Sequence, residues 1–158
     1  MKKITEKGCR RMDKVIIRKM TAADSSRVAE IEKDIFSSPW SEKSFLDAIQ
    51  SEDNIYLTAV AGEEVIGYCG FWVSYETADL CNMAVAVPYR RQSVGQQLLT
   101  EGIRCLQQKD VQRILLEVRK SNEKAKKLYQ KMGFACIGER KKYYSNPEED
   151  AILMQKEI

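Results

Sequence analysis

Hydrophobic and polar positions alternate along the chain in runs that read as an α/β domain. Val15-Ile16-Ile17 opens a short strand. A helix is predicted from near Thr21, where Thr21 and Asp24 form a capping pattern ahead of the apolar stripe Val28, Ile31 and Ile35. Ser37-Ser38-Pro39-Trp40 breaks it, and Ser41 starts a second short helix containing Phe45, Leu46 and Ile49. Ile55 to Ala61 and Val65 to Val73, joined through Gly62-Glu63-Glu64, read as a hairpin, and a further strand runs from about Thr77 to Val85. Pro88 ends that strand. A basic segment, Arg90 to Gly95, then leads into a helix with Leu98, Leu99, Gly102, Ile103 and Leu106 on one side. Ile114 to Val118 is a compact apolar strand interrupted only by Glu117. After it comes a helix capped by Ser121 or Asn122, with Ala125, Leu128, Tyr129 and Met132 at helical spacing and Gly133 as its stop. Phe134 to Ile137 and Ala151 to Met154 supply two last strands around a turn over Tyr143-Tyr144-Ser145-Asn146-Pro147. The predicted order, β-α-α-β-β-β-α-β-α-β-β, requires a mixed sheet flanked by helices.

With 158 residues, 44% of them hydrophobic, the chain is long enough for one domain that buries about 70% of its unfolded surface. It contains no histidine, which excludes Ser-His-Asp and Cys-His nucleophiles, histidine-ligated zinc and histidine bases. The net charge of +3 is unevenly placed: residues 1–20 carry eight cations against two acids, so the rest of the chain is slightly acidic. Residues 1–11 read as a basic leader or a start-site extension, with the domain occupying 12–158. A duplex-binding face would spread its positive charge over folded structure, so no nucleic-acid partner is expected. The five cysteines form no C-x-x-C pair, which fits a reduced, cytoplasmic setting and offers no metal site. No apolar run reaches membrane-spanning length, so no membrane partner is expected either.

Three places carry candidate chemistry. The stretch from Arg90 to Gln96 brings two arginines to a helix N-terminus, where open N–H groups and the positive dipole end suit a phosphate-bearing ligand; the same pattern also suits a plain charged turn. Glu117 either faces a cleft as a general base or simply occupies the solvent face that alternation provides. Tyr129 either packs in the core or presents its hydroxyl at the rim.

Order and spacing together resemble the GNAT superfamily of acetyl-CoA-dependent N-acetyltransferases. The resemblance runs from Val15 onward. Arg90-x-x-Ser93-x-Gly95 is similar to the family's coenzyme A loop and follows Asn82-Met83-Ala84-Val85. Ser38-Pro39-Trp40-Ser41, Leu116-Glu117-Val118-Arg119 with Ser121-Asn122, Leu128-Tyr129, Gly133-Phe134, Tyr143-Tyr144 and Glu149-Asp150-Ala151-Ile152 resemble the RimI group, the ribosomal-protein-alanine N-acetyltransferases. The resemblance implies a GNAT fold: a mostly antiparallel sheet, splayed at the cofactor site and flanked by about four helices. Acetyl-CoA is the implied co-substrate, without a metal, and the N-terminal α-amine of a protein, a ribosomal protein among the candidates, is the implied acceptor. The backbone amides of Met83, Ala84 and Val85 would hold the pantetheine and polarise the thioester. Arg91, Gln92, Ser93, Val94, Gly95 and Gln96 would wrap the pyrophosphate, and Asn122 would make a further coenzyme contact. Glu117 would be the general base and Tyr129 the general acid, while Phe36 to Trp40 and Tyr143-Tyr144 would wall the acceptor cleft.

An ordinary glutamate takes a proton from an α-ammonium group uphill by about 3.5 pKa units, roughly 5 kcal/mol, and from a lysine by about 6 units, roughly 8 kcal/mol. That difference leans toward α-amine acceptors. A small amine or a lysine side chain remains the alternative acceptor, and a coenzyme-binding module without turnover the alternative class. Two residues depart from the family pattern: Ser93 stands where the loop usually has a glycine, and Pro88 falls one place late.

Overall fold

A computed structural model describes residues 14–158; the predicted basic leader, residues 1–11, lies outside the described residues. Seven strands form one sheet, ordered β1-β2-β3-β4-β5-β7-β6. The strands are β1 (Val15–Lys19), β2 (Asn54–Ala61), β3 (Glu64–Ser74), β4 (Thr77–Val85), β5 (Arg113–Arg119), β6 (Ala135–Tyr144) and β7 (Glu149–Glu157). Four α-helices accompany them: α1 (Ser25–Ile35), α2 (Glu42–Gln50), α3 (Val94–Gln108) and α4 (Glu123–Lys131). All pairings are antiparallel except β4 with β5.

The order matches the hydrophobic pattern, and the differences lie at element ends. The Thr21–Asp24 capping box is formed, yet it caps a short 3-10 turn over Ala22–Asp24, and α1 starts at Ser25. A bidentate contact from Arg18 to Asp24, at 2.6 and 2.9 Å, explains the tight turn, because β1 holds that carboxylate in place. The strand after Gly133 runs to Tyr144 and does not stop at Ile137, so Tyr143 and Tyr144 are strand residues rather than turn residues. Its charged run, Glu139 to Lys142, hid it. Among the described residues β6 is an edge strand paired only with β7, and it is mostly solvated, so it needs no apolar alternation.

β2 and most of β3 are buried on both faces, which requires helices on both sides. On one side, Phe45 of α2 packs edge-on against Tyr56 and Tyr68. On the other, α3 lies so close that a Cβ at Gly102 would stand 2.5 Å from the Phe71 ring. Leu98, Leu99 and Leu106 are fully buried against the sheet. This contact fixes the N-terminus of α3 at the end of β4.

Candidate active site

The sheet opens where β4 and β5 part. They pair only through Thr77, Ala78 and Asp79 opposite Arg113, Ile114 and Leu115. β4 then continues with β3 as far as Val85, while β5 continues with β7 as far as Arg119. The β4 edge over Met83, Ala84 and Val85 therefore has no strand partner on the β5 side, where a ligand can meet it as a strand would; the Val85 carbonyl there accepts from Arg90 Nε at 3.2 Å. A bulge precedes it: Gly70 opposes Asn82 and Phe71 opposes Leu80, so Cys81 has no partner on β3. Bulges of this kind bend a strand and increase its twist.

Beyond β4, a 3-10 turn over Val87–Tyr89 holds Pro88 in its first turn, where a missing N–H costs nothing. The displaced proline is thereby absorbed. Tyr89 anchors the turn through a 2.6 Å hydrogen bond to Glu64. Arg91 and Ser93 both have φ of 63°. Ser93 is the residue before α3 and makes no side-chain cap, so the first-turn amides of Val94, Gly95 and Gln96 are not capped by it. A Cβ at Gly95 would come within 2.9 Å of Met83 and 3.1 Å of Leu128. Glycine thus lets the loop, β4 and α4 meet at one point. The loop from Arg91 to Gln96 follows β4 through the Val87–Tyr89 turn and touches Met83 at Gly95.

Glu117 lies on β5 between Leu116 and Val118, which point to the core, and shares the opposite face with Leu115 and Arg119. Its side chain is 30% exposed and stands 4.0 Å from Arg140. Cys81 and Tyr144 are its other charge neighbours. It therefore faces the splayed side of the sheet and not open solvent. Tyr129 is 8% exposed and stacks edge-on against Phe134 at 5.7 Å. Its hydroxyl has no hydrogen-bond partner among the described residues, and burial pushes the phenol above its ordinary value. Core packing of the ring is thus present. Tyr144 lies within electrostatic range of Glu117 and of Tyr129 and so links them. Burial first, then the neighbouring Tyr143 and Glu117, push the Tyr144 phenol up to about 12.

Asn122 caps α4, accepting from the Ala125 N–H at 3.2 Å. That settles the choice between Ser121 and Asn122 for the cap and commits the Asn122 carbonyl to it; the side-chain amide remains a donor. Phe36 is 41% exposed, Trp40 37% and Tyr143 48%, large values for aromatic residues, and they lie in the segments expected to wall an acceptor cleft.

Two groups escaped sequence reading. Arg119 donates to the carbonyls of Ser145 and Pro147, pairs with Glu149 and lies 4.5 Å above the Tyr144 ring. It fixes the turn that follows the two tyrosines of β6. The alternation that puts Arg119 on the face of Glu117 was the available signal. The other is a buried polar group around Glu32, whose position four residues after Val28, on the inward face of α1, was the available hint.

A model of the acetyltransferase (GNAT) family matches residues 25–134. A Bacillus subtilis protein is 37% identical over 142 residues, spanning 89% of this chain and 94% of its own length. The ribosomal protein bS18-alanine N-acetyltransferase of Haemophilus influenzae is 35% identical, spanning 88% of this chain and 96% of its own length. The crystal structure of the ribosomal-protein-S18-alanine N-acetyltransferase from Escherichia coli superimposes with a TM-score of 0.84 at 32% identity, covering 92% of this chain and 94% of that one.

Proposed function

The chain belongs to the GNAT acetyltransferase family, and from that premise we propose that it moves the acetyl group of acetyl-CoA onto the N-terminal α-amine of a protein, with an alanine-starting ribosomal protein S18 as acceptor. The names of its bS18-alanine relatives support that acceptor. A cytoplasmic place follows from it, since ribosomal proteins are met there; no helix among the described residues is long and apolar enough to cross a membrane.

The observation that carries this reading is the gap between β4 and β5, with Glu117 on its floor and Met83 to Val85 on its edge. In the proposed reaction, the Met83–Val85 amides bind the pantetheine as a strand would and donate to the thioester carbonyl oxygen as charge develops there. The first-turn amides of Val94 to Gln96, with Arg91, Gln92 and Ser93, hold the pyrophosphate. Asn122 offers its amide to the coenzyme. Glu117 takes a proton from the acceptor amine, directly or through one water. Tyr129 donates to the departing sulfur; because burial strengthens its hold on its proton, it acts mainly by hydrogen bonding to the developing thiolate. Thiolates are modest bases, near 8.5, so little protonation is needed for departure.

Acetyl-CoA consumption tests the proposal with three acceptors: a peptide beginning with alanine, a lysine peptide blocked at its N-terminus, and a polyamine. The first alone should be turned over. Glu117→Gln should lower kcat about 10²- to 10⁴-fold, the span of general acid–base catalysis, and Tyr129→Phe only about 10-fold. Turnover of the blocked lysine peptide at a comparable rate would reject the α-amine assignment, and full activity in both variants would reject the catalytic roles.

A further inference from the structure

The buried groups that this reaction leaves unused converge beneath β4. Glu32 of α1 is 3% exposed and pairs with no cation among the described residues. The Tyr68 hydroxyl donates to its Oε2 at 3.1 Å, and Asn82 Nδ2 donates to its Oε1 at 3.3 Å. The Tyr56 hydroxyl donates to Asn82 Oδ1 at 2.9 Å. No polar atom of this group is left without a partner. A carboxylate buried without a cation is a poor stabiliser, and apolar side chains of similar volume would serve folding as well or better. Burial accordingly raises the proton affinity of Glu32 above that of an ordinary glutamate.

Its position gives the group a purpose. Tyr56 stands on β2 and Asn82 on β4, with β3 between them. The Tyr56 ring crosses β3 at Gly70, where a Cβ would be only 2.1 Å from a ring carbon. Asn82 opposes Gly70, directly after the unpaired bulge residue Cys81 and directly before Met83. Past Asp79, β4 has lost β5 as a neighbour. Its twist is then set by the β3 ladder, by the packing of α1 and α3, and by the side-chain chain Tyr56–Asn82–Glu32–Tyr68. We propose that Glu32, acting through Asn82, is a positioning residue that holds the β4 bulge so that the Met83–Val85 amides point into the gap. The inference rests on the role given above to those amides.

The test compares Glu32→Leu, Glu32→Gln and Tyr68→Phe with the parent protein. Its measurements are kcat, KM for acetyl-CoA with the alanine peptide, thermal stability, and residue-resolved amide hydrogen exchange. Removing an oxyanion donor costs about 10²- to 10³-fold, so misaligning donors without removing them should cost about tenfold in kcat. Glu32→Leu should show that loss, with KM for acetyl-CoA within about threefold, as expected when an interaction matters most in the transition state. Amide exchange should quicken for those amides of Cys81–Val85 that pair with β3 and stay slow over Arg113–Arg119. A glutamine at 32 can still accept from Asn82 and donate to Tyr68, so Glu32→Gln should restore kcat to within about threefold of the parent. Tyr68→Phe removes a single hydroxyl and should lower kcat about threefold if Glu32→Leu does not fold. An unchanged kcat in the folded variants, unaltered exchange over Cys81–Val85, or equal damage from Gln and Leu would overturn the positioning role. If the parent protein acetylates no α-amine, the proposed function fails by itself, and exchange over Cys81–Val85 still decides whether the clamp exists.

Discussion

Replacing Ser93 with glycine should stabilise the protein and leave its affinity for coenzyme A nearly unchanged. Ser93 sits at φ 63°, ψ 17°, in the left-handed region, and its side chain makes no cap to α3. Holding an L-residue there costs about 1–2 kcal/mol. Glycine removes that cost but gives the unfolded chain extra freedom worth roughly 0.5–1 kcal/mol. The net gain is therefore about 0.5–1 kcal/mol, or a rise in Tm of about 1–4 °C for a domain of this size. Urea unfolding should show a higher midpoint at unchanged slope. Ser93→Val should move the other way by more than about 1 kcal/mol, because a β-branched residue is a true outlier in this region. Affinity should stay within about threefold by calorimetry, since the strain at Ser93 is met on folding, not on binding. Tenfold tighter coenzyme binding in Ser93→Gly at unchanged stability would refute the reasoning, because it would mean that the left-handed turn forms only with the ligand.

Other consequences follow from single contacts. Gly95→Ala places a methyl group against Met83 and Leu128; the expected cost is about 1–3 kcal/mol, with a raised KM for acetyl-CoA, measured by unfolding and steady-state kinetics. Arg119→Ala frees the turn after Tyr143 and Tyr144 and removes the contact over the Tyr144 ring; it should raise KM for the peptide about tenfold while coenzyme binding, read by calorimetry, is unaffected. Asp24→Asn weakens the bidentate contact with Arg18 by about 1.5 kcal/mol, the low end for charged hydrogen bonds because Arg18 is 40% exposed. The Arg18 guanidinium, ahead of the Thr21 groups, holds the Asp24 carboxyl below its ordinary value. Its stabilisation is thus complete above the unfolded carboxylate value of about 3.9 and is lost as pH falls toward the lower folded value. The parent and Asp24→Asn should therefore differ by a constant amount at neutral pH and converge in acid, as followed by thermal melts against pH.

Sequence alone determined the element order, because each apolar run announces its period: Val28, Ile31 and Ile35 can face one side only of a helix, and Ile114 to Val118 can only be a buried strand. It also exposed Glu117, since a carboxylate inside such a run is conspicuous, and it located the basic loop ahead of α3. It left Tyr129 between core and site, and the structure shows the ring buried against Phe134. Where a residue acts by pairing with distant ones, sequence was silent. The parting of β4 and β5 depends on which strands each takes as its second neighbour, a choice made between segments some thirty residues apart. β6 looked like a short strand with a polar turn because an edge strand need not alternate. Helical spacing puts Glu32 on the inward face of α1, but only β2, β3 and β4 bring Tyr56, Tyr68 and Asn82 around it. Local periodicity is a property of one segment, whereas burial, register and hydrogen-bond partners belong to the assembled sheet, and only the tertiary structure decides them.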